Sequence, residues 1–405
     1  MMQTTHQHLP LSPAHRCAPM VAAALAGILS LGAVAAALPG GTANAAASTT
    51  ATRRVDLATP TFSNPTDITN ALFPAGALDQ AVQLGTEGDV ALRHEITLRD
   101  ETRVIRWDGR DIEAVVLQFL AYGDGEIREV ATDYFAQADD GSVWYLGEDV
   151  TNYQDGKIAN HNGTWLAGRD GPGGMIMPAN PQVGDVYMPE NIPGLVFEEV
   201  TVKQTNVTVD GPNGPVAGAV VVQERLMDGT LEDKIFAPGY GEFEASVPSA
   251  DELVRVAIAV PTDGANGQRP KALDRLSDTA RRLFDDATAH NWSHVSALAR
   301  DAHRSWDAVS AGDVPPLLDR QLNGVLDALD SAVGSMSTAD TRQAAIELEL
   351  ASLDIEMQYE ETQTIDEDRI EVWRLQLRVH RAAGDLVGAA SDRAIVTAIA
   401  DRLPD

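Results

Sequence analysis

Cysteine is almost missing from this chain. Cys17 is the single one in 405 residues, and it precedes the only long apolar run. The body of the protein therefore has no thiol nucleophile, no disulfide and no cysteine metal site. A lipid-bearing cysteine would follow that run, so lipid anchoring is not expected. Bases are also scarce, at 30 Lys and Arg against 60 Asp and Glu, for a formal net charge of −30. The imbalance is not confined to a tail: residues 46–270 carry 35 acids and 15 bases, and residues 271–405 carry 25 and 14. Such a surface repels phosphate backbones and anionic lipid heads, which argues against nucleic acid and anionic membrane surfaces as partners. The chain also lacks a G-x-S-x-G elbow and a phosphate-cradling glycine loop opening a helix, so nucleophilic hydrolysis and nucleotide chemistry have no motif to stand on.

The sequence has enough apolar material to fold. Hydrophobic residues make up 44% of it, which does not suit a disordered chain, and the length accommodates two or three domains. The long apolar run, "VAAALAGILSLGAVAAAL" (Val21 to Leu38), follows a weakly basic start at His15 and Arg16. It is followed by small residues around Ala43-Asn44-Ala45. That is the layout of a secretory signal peptide over residues 1–45, and it predicts a secreted or extracytoplasmic protein. An uncleaved membrane anchor is the alternative, since 18 apolar residues could just span a bilayer. No later run approaches that length.

From Phe62 to about Val260 the chain reads as short strands rich in Val, Thr, Tyr and Phe, such as "IEAVVLQFLAY", "EVATDYFAQ" and "SVWYLGE". Asx-Gly and Gly-rich turns separate them at Gly123-Asp124-Gly125, Asp139-Asp140-Gly141, Asp155-Gly156, Asn162-Gly163 and Gly211-Pro212-Asn213-Gly214. These supply the positive φ that tight hairpins require. No helical stretch intervenes, so the expectation is an antiparallel meander, as an open barrel or sandwich, over residues 55–260. "ADDGSVWY" lacks the alternating acids and closing Glu of a calcium loop. A glycosidase-type pair using Glu148 or Asp149 is conceivable, but acids are so abundant that a pair can be picked anywhere. Trp144 and Tyr145 are adjacent and so point to opposite strand faces, one of them toward the core.

"FSNPTDITNALFPAG", "DYFAQADDGSVWYLGED", "GTWLAGRDGPGGMIMPANPQVGDVY" and "KIFAPGYGEFE" resemble, in order and spacing, an uncharacterised secreted β-domain family of actinobacteria. The resemblance spans roughly residues 62–244. It implies a cell-envelope or extracellular protein and brings no activity, cofactor or catalytic residue.

"PTDGANGQRP" (261–270) has the composition of a linker. Beyond it the apolar spacing becomes helical, which predicts a bundle over 271–405. Asp313 is the expected cap of a helix with Pro315-Pro316 in its first turn. Residues 345–380 alternate in a strand-like way, yet their composition and a stripe through Ile346, Leu350, Leu353 and Met357 favour helix. This helical half more loosely resembles helical regions of other secreted actinobacterial proteins.

The chain as a whole thus reads as α+β: an antiparallel meander followed by an all-α bundle. Its expected function is non-catalytic binding of a small ligand or envelope component, with no cofactor implied. Trp107, Phe119, Tyr134, Trp144 and Trp165 are candidates to line a concave sheet face, with most such aromatics expected in the core. Two alternatives stay open. One is a hydrolase using two carboxylates. The other is a metal site on His290 and His294, four apart and on one helical face if the helix begins by residue 290. Asn291 as a helix cap would place His290 outside the helix and break that pair.

Overall fold

Strand-forming stretches closed by left-handed Asp-Gly turns account for the first half of the molecule. In the computed structural model, which describes residues 51–262, 264 and 268–404, Asp108-Gly109, Asp124-Gly125 and Asp155-Gly156 all have positive φ at both positions. That is the backbone of a tight two-residue hairpin whose twist matches that of the strands. The signal-like segment 1–45 lies outside the described residues, as does part of the expected linker. No helix among the described residues is long and apolar enough to cross a membrane.

Fifteen strands form one sheet. They are β1 (Arg53–Arg54), β2 (Leu78–Glu87), β3 (Val90–Trp107), β4 (Arg110–Gly123), β5 (Glu126–Gln137), β6 (Val143–Gln154), β7 (Lys157–Asn160), β8 (Trp165–Leu166), β9 (Gly174–Met177), β10 (Asp185–Ile192), β11 (Val196–Gly211), β12 (Gly214–Leu226), β13 (Leu231–Ala237), β14 (Gly241–Val247) and β15 (Glu252–Pro261). Their spatial order is β1-β10-β11-β12-β13-β14-β15-β2-β3-β4-β5-β6-β7, with β8 and β9 attached to β6. The β1–β10 pair is parallel and the other named pairs are antiparallel. The expected meander is therefore present twice, as β2 to β7 and as β10 to β15, joined where β15 pairs with β2. The sheet curls without closing into a barrel. Its two ends meet without pairing: Trp165 Nε1 of β8 donates to Glu190 Oε1 of β10, and Gly174 of β9 lies against the Pro189 carbonyl, where a Cβ would have no room.

Six helices follow: α1 (Lys271–Thr288), α2 (Trp292–Val309), α3 (Pro316–Gly334), α4 (Thr338–Glu356), α5 (Thr362–Ala383) and α6 (Leu386–Asp401). Residues 345–356 and 362–380 are helical, as composition favoured, with a short turn between them. Each alternate apolar residue there finds a neighbour, because α4 is buried around most of its circumference. The cap of α3 is Pro315 rather than Asp313, since the fixed φ of Pro315-Pro316 starts the helix directly.

The helices cover the outer face of the sheet. Val82, Ile258 and Val260 share an apolar core with α1 to α5. Leu120, Tyr122 and Ile127 pack with Ile370, Trp373, Ile395 and Ile399 of α5 and α6. A separate core fills the concave side of the curled sheet, around Phe119, Phe135, Tyr145, Trp165, Tyr187 and Phe236.

Candidate functional site: a cleft between sheet and helices

Two polar regions lie inside this fold, one on each face of the sheet. The first is on the concave side. Glu129, Asp133, Glu148, Glu190, Glu198, Glu224 and Glu232 are all nearly fully buried there. The register makes three of the contacts head-on, because Asp133 lies opposite Glu148, Glu190 opposite Glu198, and Glu224 opposite Glu232. Lys234 is the counter-charge, with its Nζ 2.9 Å from Glu224 and 3.3 Å from Glu242. Several of these oxygens have no hydrogen-bond partner, including both of Glu129 and both of Glu148. A carboxylate taken out of water without full pairing resists ionisation. Burial accordingly pushes Glu129 up to about 8, with Asp133 adding to the shift. Burial carries Asp133 to about 7 against the bond from Tyr145, and Glu190 to about 8 against the bond from Trp165. These acids form a tightly enclosed core layer.

The second region is a cleft of about 620 Å³ on the opposite face, between the β2–β3 and β4–β5 hairpin ends and helices α3 to α6. One face of α5 builds its long wall. Arg369, Trp373, Gln376 and His380 follow at i, i+4, i+7 and i+11 and all line it, a stripe about 16 Å long at 1.5 Å rise per residue. Trp373 stacks on Tyr122 of β4 with ring centroids 5.9 Å apart and planes within 3°.

Arg93, Glu95 and Arg369 line the floor and belong to an ion-pair lattice of three arginines and three acids that continues beneath it. Arg93 bonds Asp354 at 2.6 and 2.7 Å and Glu95 at 2.9 Å. Arg402 bonds Glu95 at 2.8 Å and Asp366 at 2.6 Å. Arg369 bonds Asp354 at 2.9 Å and Asp366 at 3.1 Å. Burial alone would raise Glu95, but Arg369, Arg93 and Arg402 outweigh it and hold its carboxyl well below the usual range. At the other end, His380 Nδ1 lies 2.7 Å from Asp392 and its Nε2 lies 3.0 Å from the Gln376 amide. Burial lifts Asp392 to about 6, against the pull of His380.

The cleft concentrates unanswered hydrogen-bonding capacity. The Tyr122 hydroxyl, Arg369 Nε, Gln376 Oε1 and Gln321 Oε1 are all buried atoms without a hydrogen-bond partner, and all four residues line this one cavity. Leaving such a group unpaired costs roughly 1–3 kcal/mol. A mostly apolar pocket with a few converging polar groups is the usual form of a small-molecule site.

The residues expected to line a ligand face are dispersed instead. Trp165 and Phe119 lie in the concave core, Trp165 held by Glu190. Tyr134 is buried in that core too, with its ring under the Arg103 guanidinium and its hydroxyl donating to Asp149 at 2.7 Å. Trp107 and Trp144 do meet, with centroids 5.7 Å apart, beside an open groove of about 300 Å³. Both Trp144 and Tyr145 are buried in the same core. His290 lies just before α2 with φ +56°, its Nδ1 3.1 Å from Thr338 Oγ1. His294 pairs instead with Asp286 at 2.6 Å. Among the described residues no group of three or more His, Cys, Asp or Glu is arranged to hold a metal ion.

Sequence reasoning missed the α5 stripe. The signal was present in "RIEVWRLQLRVH" as a helical face carrying a cation, an aromatic, an amide and an imidazole in place of the usual aliphatic residues. It was hidden by the alternating apolar pattern of the same segment. Comparison with family models, curated proteins and solved structures found no match to this chain.

Proposed function

We propose that this is an extracytoplasmic, non-catalytic binding protein, and that its ligand is a small organic molecule held in the cleft between sheet and helices. The observation that carries the reading is the convergence of four partnerless buried polar groups on one cavity. Two further observations favour binding over catalysis. Both ring nitrogens of His380 are already engaged, by Asp392 and by Gln376, so the one imidazole in the cleft has no free site for proton transfer. The carboxylates of the concave side, where a two-acid hydrolase would be sought, are packed into the core and nearly fully buried. Export is supported by the signal-like layout of residues 1–45, and the envelope setting by the resemblance of residues 62–244.

A thermal-shift screen of small metabolites tests the reading. A native-state ligand at a hundredfold excess over Kd stabilises by about 2.7 kcal/mol, which moves the midpoint of a chain this size by several degrees. Hits should be saturable in the wild type and lost in Trp373→Ala and Gln376→Leu. Hits that persist unchanged in both variants would move the binding site elsewhere.

A further inference from the structure

The polarity of the cleft is ordered along α5, and the order specifies a ligand. At the Arg369 end the partnerless groups are the Arg369 Nε–H and the Tyr122 hydroxyl, which can donate to an acceptor atom. The charges there cancel, because Arg93, Arg369 and Arg402 are matched by Glu95, Asp354 and Asp366. Two turns along, at Gln376, the partnerless atoms are the carbonyl oxygens Gln376 Oε1 and Gln321 Oε1, which can only accept. The surrounding charge also goes from balanced to negative. Glu347, Asp385, Asp392, Asp124 and Glu126 line this cavity, and among the described residues no Lys or Arg lines it beyond the neutralised lattice, while His380 is bonded to Asp392. Trp373 lies between the two ends.

We infer that the cleft takes an organic cation, with an ammonium group at the Gln321–Gln376–Glu347 end, an apolar or aromatic body against Trp373, and an oxygen at the Tyr122–Arg369 end. The inference rests on the cleft being the ligand site and deepens that reading. An ammonium supplies only donors, which is what two orphaned carbonyl oxygens and nearby carboxylates require. A ring beside Trp373 gains apolar burial, and a cation near the indole gains further attraction. An anionic ligand of the same shape would place its charge among acids and leave both glutamine oxygens unanswered.

Three probes of matched shape separate the possibilities by calorimetry on the full chain in 0.3 M NaCl, where diffuse attraction to the acidic surface is screened. Tyramine carries an ammonium and a phenol on one ring, 4-ethylphenol is its neutral counterpart, and 4-hydroxyphenylacetate its anionic one. Tyramine should bind saturably at one site, 4-ethylphenol at least tenfold more weakly, and 4-hydroxyphenylacetate not at all over the same range. Glu347→Gln and Gln376→Leu should each weaken tyramine on the order of tenfold. Asp307→Asn, which removes an exposed charge away from the cleft, should not change it. Glu347 is only partly buried, so its variant keeps the test valid if Gln376→Leu folds poorly. Equal or tighter binding of the anion overturns the assignment, as does tyramine binding that Asp307→Asn weakens as much as Glu347→Gln. No binding by any probe also overturns it. If 4-ethylphenol binds best and is lost in Trp373→Ala, the cleft remains the ligand site and only the cationic assignment falls.

Discussion

Asp133 on β5 and Glu148 on β6 are direct cross-strand partners, both without measurable exposure, and three of their four carboxyl oxygens have no hydrogen-bond partner. Two ionised carboxylates so placed would repel strongly, so the pair persists by holding protons. Asp133 sits at about 7, and burial, with Glu190 as the next contributor, drives Glu148 well above the usual range. The pair makes stability a function of pH. A group whose folded pKa is raised stabilises fully below its unfolded value and loses that contribution as pH climbs through the folded one. With Glu129 and Glu190 at about 8 and Glu252 at about 7, the window runs from about pH 5 to 8. Each group contributes a slope of up to about 1.4 kcal/mol per pH unit. The unfolding midpoint should therefore fall steadily from pH 5.5 to pH 8.5, and Glu148→Gln should flatten that fall. On the acid side His94, lowered to about 4 by burial and by Lys234, opposes the trend below its ordinary value. A midpoint that rises between pH 6 and 8.5 would contradict this account of the concave core.

Arg402 ties the end of the helical segment to the sheet. Its buried guanidinium bridges Glu95 of β3 and Asp366 of α5. Removing one member of a buried ion lattice leaves an uncompensated charge at a cost of about 3–5 kcal/mol. Arg402→Met should lower stability by that order in urea titration, and adding Glu95→Gln should recover part of the loss. If the two losses simply add, the residues are not coupled.

The fold was legible where local chemistry dictates it. Asp-Gly turns and β-branched runs announced the meander, and the helix formers of 345–380 overrode their alternating pattern. What could not be read was which strand faces oppose one another. The alternation of Glu148 with Asp149 looks like any half-exposed strand until the curl of the sheet buries Glu148 against Glu190. The surroundings of the aromatics were hidden for the same reason. Trp165 and Trp144 are large enough to suggest a ligand face, but curling places one beside Glu190 and the other beside Trp107. The cleft depends on long-range pairing, since Tyr122 and Trp373 are 251 positions apart in the chain. Its α5 wall was nonetheless written in a single helical stripe.

Gly156 shows a turn residue with a second duty. Its φ is +67°, as the β6–β7 hairpin requires, but a Cβ there would also lie 2.4 Å from the backbone nitrogen of Ser391 on α6. Gly125 has the same left-handed backbone, with φ +76° and open space around it. Gly125→Ala should thus cost about 1–2 kcal/mol, the left-handed penalty alone. Gly156→Ala should cost clearly more and should raise amide hydrogen exchange in α6. Equal costs for the two would show that α6 does not rest on this hairpin.

The last prediction concerns the junction at 261–270, whose composition marks it as a boundary between two domains that would separate on cleavage. The packing argues that they would stay together. Val82, Ile258 and Val260 of the sheet lie in the same apolar core as the helices. Polar ties cross the same boundary: Arg93 to Asp354, Arg402 to Glu95, the Gln118 amide to the Ala398 carbonyl at 2.9 Å, and the Ile127 amide to Ser391 Oγ at 2.8 Å. Each half alone would expose that apolar surface and leave buried charges without partners, at several kcal/mol for the ions alone. A protease site inserted between Pro261 and Pro270 and then cut should leave a complex that elutes at the size of the intact chain. It should dissociate only in denaturant, with loss of tyramine binding. Separation of two folded fragments in native buffer would instead show that the sheet and the helical bundle are independent domains, and that the cleft between them is not a fixed part of the molecule.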